Sequence, residues 1–243
     1  ALYQQFDVDT LQGGWRQSWT SGLSTEVRVS RAEHKFRLPP LPITALVLGD
    51  PGFNSDYDWL DLQSTLYEFQ VNWAASADLH AVAGADYRTY SAGKAPFLGL
   101  AEEKNESASG AFVNLDWAPN PRWAYSAGVR AENETLGGSR TSPRVAIVYS
   151  PDEASTLRAG YYSSTRSPQV IESRVDFYYP LSQVPPPFTA GLVRVYPNPD
   201  LQPEKVSSLE IGYRRGMGAV TLDLTLFRMK FDHLIQQEPL PMI

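Results

Sequence analysis

Tight and long connections take strict turns along this chain. Ten segments alternate apolar and polar residues with a period of two, roughly 10 to 20, 24 to 36, 62 to 75, 79 to 91, 108 to 118, 123 to 132, 143 to 150, 156 to 164, 206 to 215 and 219 to 231. The tight links are Ser21-Gly22-Leu23, Ser76-Ala77-Asp78, Pro119-Asn120-Pro121-Arg122, Pro151 to Ser155 and Gly216-Met217-Gly218, all of them turn chemistry. The long ones are Arg37 to Asp61, Ala92 to Ser107, Asn133 to Ser142 and Thr165 to Lys205. Each antiparallel strand reverses direction, so this alternation puts every tight turn at one end of a sheet and every long loop at the other. An up-and-down barrel has this layout.

The faces follow from the same period. One set of alternating positions holds Val27 and Val29, Phe69 to Trp73, Leu79 to Ala85, Val113 to Trp117, Val145 to Tyr149, and Leu209 to Tyr213, almost without charge. The other set holds Arg16, Glu26, Arg28, Glu68, Asp86, Arg130, Glu132, Arg158, Glu210, Arg214 and Asp223. A soluble β-rich binding module would turn the apolar set inward, and it stands as one alternative. A membrane barrel would turn it toward lipid. Trp19, Trp73, Trp117, Trp123 and Tyr149 all lie beside a tight turn, as an interfacial girdle requires and a core does not. The expectation is an all-β, antiparallel, up-and-down transmembrane β-barrel, with about ten strands, short periplasmic turns and long extracellular loops.

Composition removes several other functions. The net charge is −6 and there is no cysteine, so neither a nucleic-acid footprint nor thiol, disulfide or zinc-finger chemistry is expected. The three histidines are His34, His80 and His233. None has metal-ligand spacing with another, and His34 and His233 adjoin Glu33 and Asp232 only as strand neighbours, which face opposite ways and make poor dyads. No cofactor, no metal and no catalytic residue is assigned. An acidic group in the first long loop, Asp50, Asp56, Asp58 and Asp61, reads as solvated charge rather than a calcium loop, since no regular twelve-residue pattern is present. No signal peptide is seen.

From Arg166-Ser167-Pro168, the chain runs on to Asn198-Pro199-Asp200-Leu201-Gln202-Pro203-Glu204 and then to Ser208, Glu210 and Gly212. This order of Arg-x-Pro, Asn-Pro-x-Leu-x-Pro-Glu and Ser-x-Glu-x-Gly resembles the barrel of TonB-dependent outer-membrane receptors. The likeness is close over residues 156 to 235 and a matter of strand and loop style before them. The prolines hold the residues before them extended, so Asn198 to Glu204 is expected to be a stiff descent into the next strand. Glu210, on the same side as Arg214 and Asp223, is expected in an ion-pair network inside the lumen.

The resemblance implies a ligand-gated, TonB-energised importer of a scarce nutrient complex in the bacterial outer membrane, a ferric siderophore before cobalamin or a sugar, and no enzyme. Its partners would be outer-membrane lipid, a small-molecule ligand, and TonB acting through a plug domain that this chain does not contain. The family barrel has 22 strands, so residues 1 to 243 are expected to be one segment of a larger barrel, cut at both ends. The loop residues expected to touch ligand are Tyr57, Trp59, Arg166, Arg174, Phe177, Tyr178, Tyr179, Arg194 and Tyr196, because arginines pair with anionic chelates while aromatics offer flat apolar faces. A ten-stranded outer-membrane hydrolase of omptin type is the other alternative.

Overall fold

A computed structural model describes residues 5–37, 59–94, 100, 102–180 and 192–236. Ten strands form one antiparallel sheet: β1 (Gln5–Thr20), β2 (Leu23–Arg37), β3 (Trp59–Ala74), β4 (Leu79–Ala92), β5 (Lys104–Asn120), β6 (Trp123–Glu134), β7 (Gly138–Asp152), β8 (Ser155–Arg166), β11 (Glu204–Met217) and β12 (Val220–Asp232). They lie side by side in chain order, with β8 against β11, and among the described residues β1 and β12 are the outer strands. Each expected strand is present, and all but the last are longer than expected, mostly at the long-loop end.

Two expectations about the connections need correction. The link between β6 and β7 is Thr135–Gly137 alone, not the ten-residue loop expected from 133 to 142. Pairing simply continues upward, with Glu132 opposite Arg140 and Glu134 opposite Gly138. The excursion between β8 and β11 is also not all loop. It holds one helical turn, α1 (Val170–Ser173), and a small hairpin of β9 (Phe177–Pro180) with β10 (Leu192–Val195). Both elements are too short to leave a readable period.

The five tight turns share one end of the sheet, and backbone bonds tie four of them to the next strand pair. Ala74 N donates to Gly22 O at 2.7 Å, Ala118 N to Asp78 O at 2.8 Å, Ser150 N to Arg122 O at 2.8 Å, and Gly216 N to Ala154 O at 2.8 Å. Beside these turns runs a row of rings. Trp117 stacks on Tyr125 (5.4 Å between centroids), and Trp123 lies between Tyr125 (5.9 Å) and Tyr149 (4.3 Å). Trp19 Nε1 donates to Thr25 Oγ1 at 2.9 Å, its plane bonded at the edge and its face open.

Register decides the faces, because directly opposed residues share one. The pairs Val27–Phe69, Val71–Ala83, Val113–Val129, Val145–Ala127 and Ile211–Leu226 put the apolar set on one side throughout. That side is open: Trp117 is 47% exposed, Ile211 56% and Leu226 78%. A soluble module would have covered it, so the inverted arrangement is not the one adopted. A second aromatic row, which the turn argument did not find, closes the apolar band at its loop side, where Tyr67 pairs with Tyr87 and Tyr161 follows on β8. Strands of 12 to 17 residues exceed the about ten that a tilted strand needs to cross a hydrocarbon layer, and stand clear of it at the loop end.

Among the described residues the buried apolar cluster lies on the polar face, at the loop end. Leu60 of β3, Leu100 and Val175 pack together with Phe36 and Leu62 beside them. Val175 belongs to the excursion after β8, so this segment folds back across the polar face as far as β3.

Candidate functional site

The polar face carries its charges in cross-strand ladders. Arg130 Nη2 meets Asp86 Oδ1 at 2.8 Å and its Nε meets Glu132 Oε1 at 2.8 Å, while Arg140 joins Glu132 (3.2 Å) to Glu134. A second ladder runs Arg16–Glu26–Arg28–Glu68 at 3.5, 2.6 and 3.5 Å. A third confirms the network expected for Glu210: Arg158 Nε reaches Glu210 Oε1 at 3.1 Å, and its Nη2 reaches Thr225 Oγ1 at 2.7 Å and Asp223 Oδ1 at 3.6 Å.

Two glycines make the longest of these reaches possible. Asp86 is on β4 and Arg130 on β6, with Gly110 of β5 between them, where an added β-carbon would run into Arg130 Nη2 and stand 2.9 Å from Asp86 Oδ1. Gly212 of β11 similarly lies under Arg158 as it crosses from β8 to β12, with an added β-carbon 2.5 Å from Arg158 Nε. Both glycines are sites of close approach, and what approaches is an arginine of the neighbouring strand.

Arg166 closes β8 and binds through its whole guanidinium. Its Nε donates to Glu204 Oε2 at 2.5 Å, and Nη1 and Nη2 form a fork on Glu172 at 3.0 Å each. Glu172 Oε2 also accepts from Gln169 N at 2.8 Å at the start of α1, and Glu204 Oε1 accepts from Ile235 N at 2.8 Å. One arginine therefore joins β8, α1, β11 and the segment after β12. The hydrogen bond from Arg166, with that from Ile235, holds the Glu204 carboxyl below the usual carboxylate range. Pro168 is buried below this node.

The lead-in to β11 is not one straight descent. Asn198 Oδ1 accepts from Asp200 N at 3.1 Å, folding Pro199–Asp200 into a turn, and the chain extends only from Leu201 through Pro203.

Arg174 ends α1 over the polar face. Its Nη2 stands 4.0 Å from Glu106 Oε1 on β5, and the Glu106 side chain is 9% exposed. Arg174 Nε and Glu106 Oε2 are buried without a hydrogen-bond partner among the described residues, a costly state for charged groups. In the hairpin, Tyr178 is the register partner of Arg194, and Tyr179 and Phe177 pair with Val193 and Val195. Trp59 opens β3 opposite Arg37, and Tyr196 follows β10 and is 52% exposed. Tyr57, like Asp50, Asp56 and Asp58, lies outside the described residues. The excursion thus gathers Arg174, Phe177, Tyr178, Tyr179, Arg194 and Tyr196 into one segment, and Arg166 anchors it. Among the described residues no three His, Asp or Glu side chains converge as metal ligands.

Sequence reasoning passed over Glu172, Glu106 and the Leu60–Leu100–Val175 cluster, and placed Arg158 on the polar face without its partners. Glu172 stands three residues after Gln169, a capping-box spacing, but Gln is a weak signal for a helix start. The other contacts join residues far apart in the chain and leave no local trace.

Comparison with known proteins agrees with this geometry. The family model described as TonB dependent receptor-like, beta-barrel, matches residues 1–242. An iron-regulated outer membrane virulence protein of Vibrio cholerae serotype O1 is 31% identical over 132 residues, 54% of this chain and 19% of that protein. Among solved structures, the siderophore receptor PirA from Acinetobacter baumannii (TM-score 0.73, 15% identity) and a mutant of the ferric enterobactin receptor PfeA from Pseudomonas aeruginosa (TM-score 0.74, 15% identity) each match 94% of this chain and 35% of their own length. The RagAB peptide transporter matches 98% of the chain and 32% of its own at a TM-score of 0.58 and 12% identity. The chain therefore spans about a third of the solved receptors it matches and about a fifth of the curated relative. With a match along all but its last residue, an open apolar face between two aromatic rows and a polar face braced by ion pairs, the chain belongs to the TonB-dependent receptors, in their outer-membrane β-barrel.

Proposed function

We propose that this chain forms part of the wall and rim of a ligand-gated importer. It takes up a scarce nutrient complex across the outer membrane, a ferric siderophore above all, with energy from TonB arriving through a plug domain seated in the lumen. The observation that carries this reading is the excursion after β8. It packs Val175 against Leu60 on β3 and holds Arg174 over Glu106, a rim segment turned in over the mouth of the lumen rather than out into solvent. The Arg174 side chain is 38% exposed, and its Nε has no hydrogen-bond partner among the described residues, so the guanidinium keeps donor capacity for an anionic chelate. The curated relative is named for iron regulation, and two of the similar structures are siderophore receptors. The likeness to a peptide transporter supports the architecture without the same cargo. Nothing in the matches favours the hydrolase, and the exposed apolar face does not suit the soluble module.

The test is equilibrium binding to the purified protein in detergent, with ferric catecholate and hydroxamate chelates, cobalamin and oligosaccharides as probes. Saturable binding of a ferric chelate, weakened about tenfold or more by Arg174→Ala, is the expected result. Binding of cobalamin or a saccharide instead would keep the importer and replace the cargo. Binding of none of them would overturn the reading.

A further inference from the structure

The apolar band does not give way to the same chemistry all round its loop-side edge. Across β4 to β8 the outward positions beyond it are neutral: Thr89 and Ser91, Ser107 and Ser109, Ser139 and Thr141, Ser163 and Thr165. At β11 and β12 they turn basic. Register places Lys205, Arg228 and Lys230 on the outward face, with Leu209, Leu224 and Leu226 directly below. These leucines are 54%, 56% and 78% exposed. Arg228 lies in one cross-strand row with Leu209 and Tyr161, the ring that marks the upper edge of the band on β8. Lys230 Nζ pairs with Asp232 Oδ1 at 2.8 Å, and Lys205, opposite Asp232 in register, shares the field of that same carboxylate. Three cations against one carboxylate leave a local excess of positive charge on a chain whose net charge is −6.

From this juxtaposition we infer that the outward face of β11 and β12 is a docking site for an anionic amphiphile, its phosphorylated headgroup on Arg228, Lys230 and Lys205 and its acyl chains along Leu209, Leu224 and Leu226. Cations at the level of an interfacial tyrosine reach headgroup phosphates while their stems stay on the apolar band. Each such cation adds attraction to an anionic surface. The guanidinium of Arg228, fixed on a strand in the tyrosine row, also suits two phosphate oxygens at once. The mixed-charge flank on β2, where Lys35 pairs with Glu33 at 3.1 Å, offers no such excess and serves as the internal control.

The experiment is native mass spectrometry of the purified protein in neutral detergent, with equal amounts of long-chain phosphatidic acid and phosphatidylcholine added. The expected result is about a tenfold preference for phosphatidic acid. It should be lost in Arg228→Gln with Lys230→Gln, kept when the two are exchanged as Arg228→Lys with Lys230→Arg, and kept in Arg31→Gln with Lys35→Gln. Equal retention of both lipids by the wild type, or an unchanged preference in the Gln double variant, would overturn the inference. Displacement of phosphatidic acid by millimolar inorganic phosphate would do so too, by showing a site for the free anion with no part for the acyl chains. Circular dichroism of each variant separates loss of the site from loss of the barrel.

Discussion

Arg166 could have been a ligand contact or a structural tie, and its surroundings decide what removing it would do. Its three nitrogens are committed to Glu204 and Glu172, and those carboxylates hold α1 and Ile235 in turn. Arg166→Ala should therefore free the excursion at both ends, raising the rate of limited proteolysis between 167 and 203 several-fold while the ten strands stay folded. Arg174→Ala should leave that rate unchanged. The pH dependence has a definite sign. The folded-state pKa of Glu204 is lowered, so its contribution is complete above the ordinary carboxylate value of about 4.3 and is lost as pH falls through the lowered value. The hydrogen-exchange protection factors of the excursion and of Ile235, taken against the intrinsic rate at each pH, should fall below that range and stay level between pH 6 and 8.

At the scale of the strand, the two faces should answer the same substitution differently. Leu224 faces outward in the apolar band, so Leu224→Arg should destabilise the barrel by about 2–4 kcal/mol in urea unfolding from lipid vesicles. Thr221→Arg, on the polar face of the same strand, should cost well under half as much. Strand number, faces and the turn-end girdle were all legible in the sequence, because a period of two and the placement of Trp19, Trp73, Trp117 and Trp123 are local patterns. The loop-side tyrosine row was equally local and was passed over, since Tyr67, Tyr87 and Tyr161 adjoin no turn. The β9–β10 hairpin, the short β6–β7 link and the fold-back of Val175 onto Leu60 depend on contacts between distant segments. No periodicity encodes those. The motif singled out Arg166 and Glu204 in separate stretches and gave no sign that the two residues bond each other.

For the whole molecule, the wall of an outer-membrane β-barrel must keep one face wet and the other in lipid. The tryptophans of the turn-end row should then be reached from the bilayer. Brominated lipid with the bromine near the headgroup should quench the fluorescence of Trp73, Trp117 and Trp123 by half or more, and bromine at the acyl terminus should quench it less. Equal quenching by both, or by neither, would contradict the placement of the apolar band.

The glycine-bridged arginines bear on how such a wall is assembled without error. A strand that slips by one residue exposes its charges to lipid and is rejected on hydrophobicity alone. A slip by two keeps every face correct, so the oily and wet pattern cannot detect it. Arg130 over Gly110 to Asp86, and Arg158 over Gly212 to Asp223, each need three strands aligned at one position. After a two-residue slip the glycine would be replaced under the arginine by a residue with a β-carbon, Ala108 or Phe112 in the one case and Glu210 or Arg214 in the other, and the carboxylate would be displaced with its strand. These bridges work as a lock with a single key position, proofreading the alignment as each strand joins the growing wall.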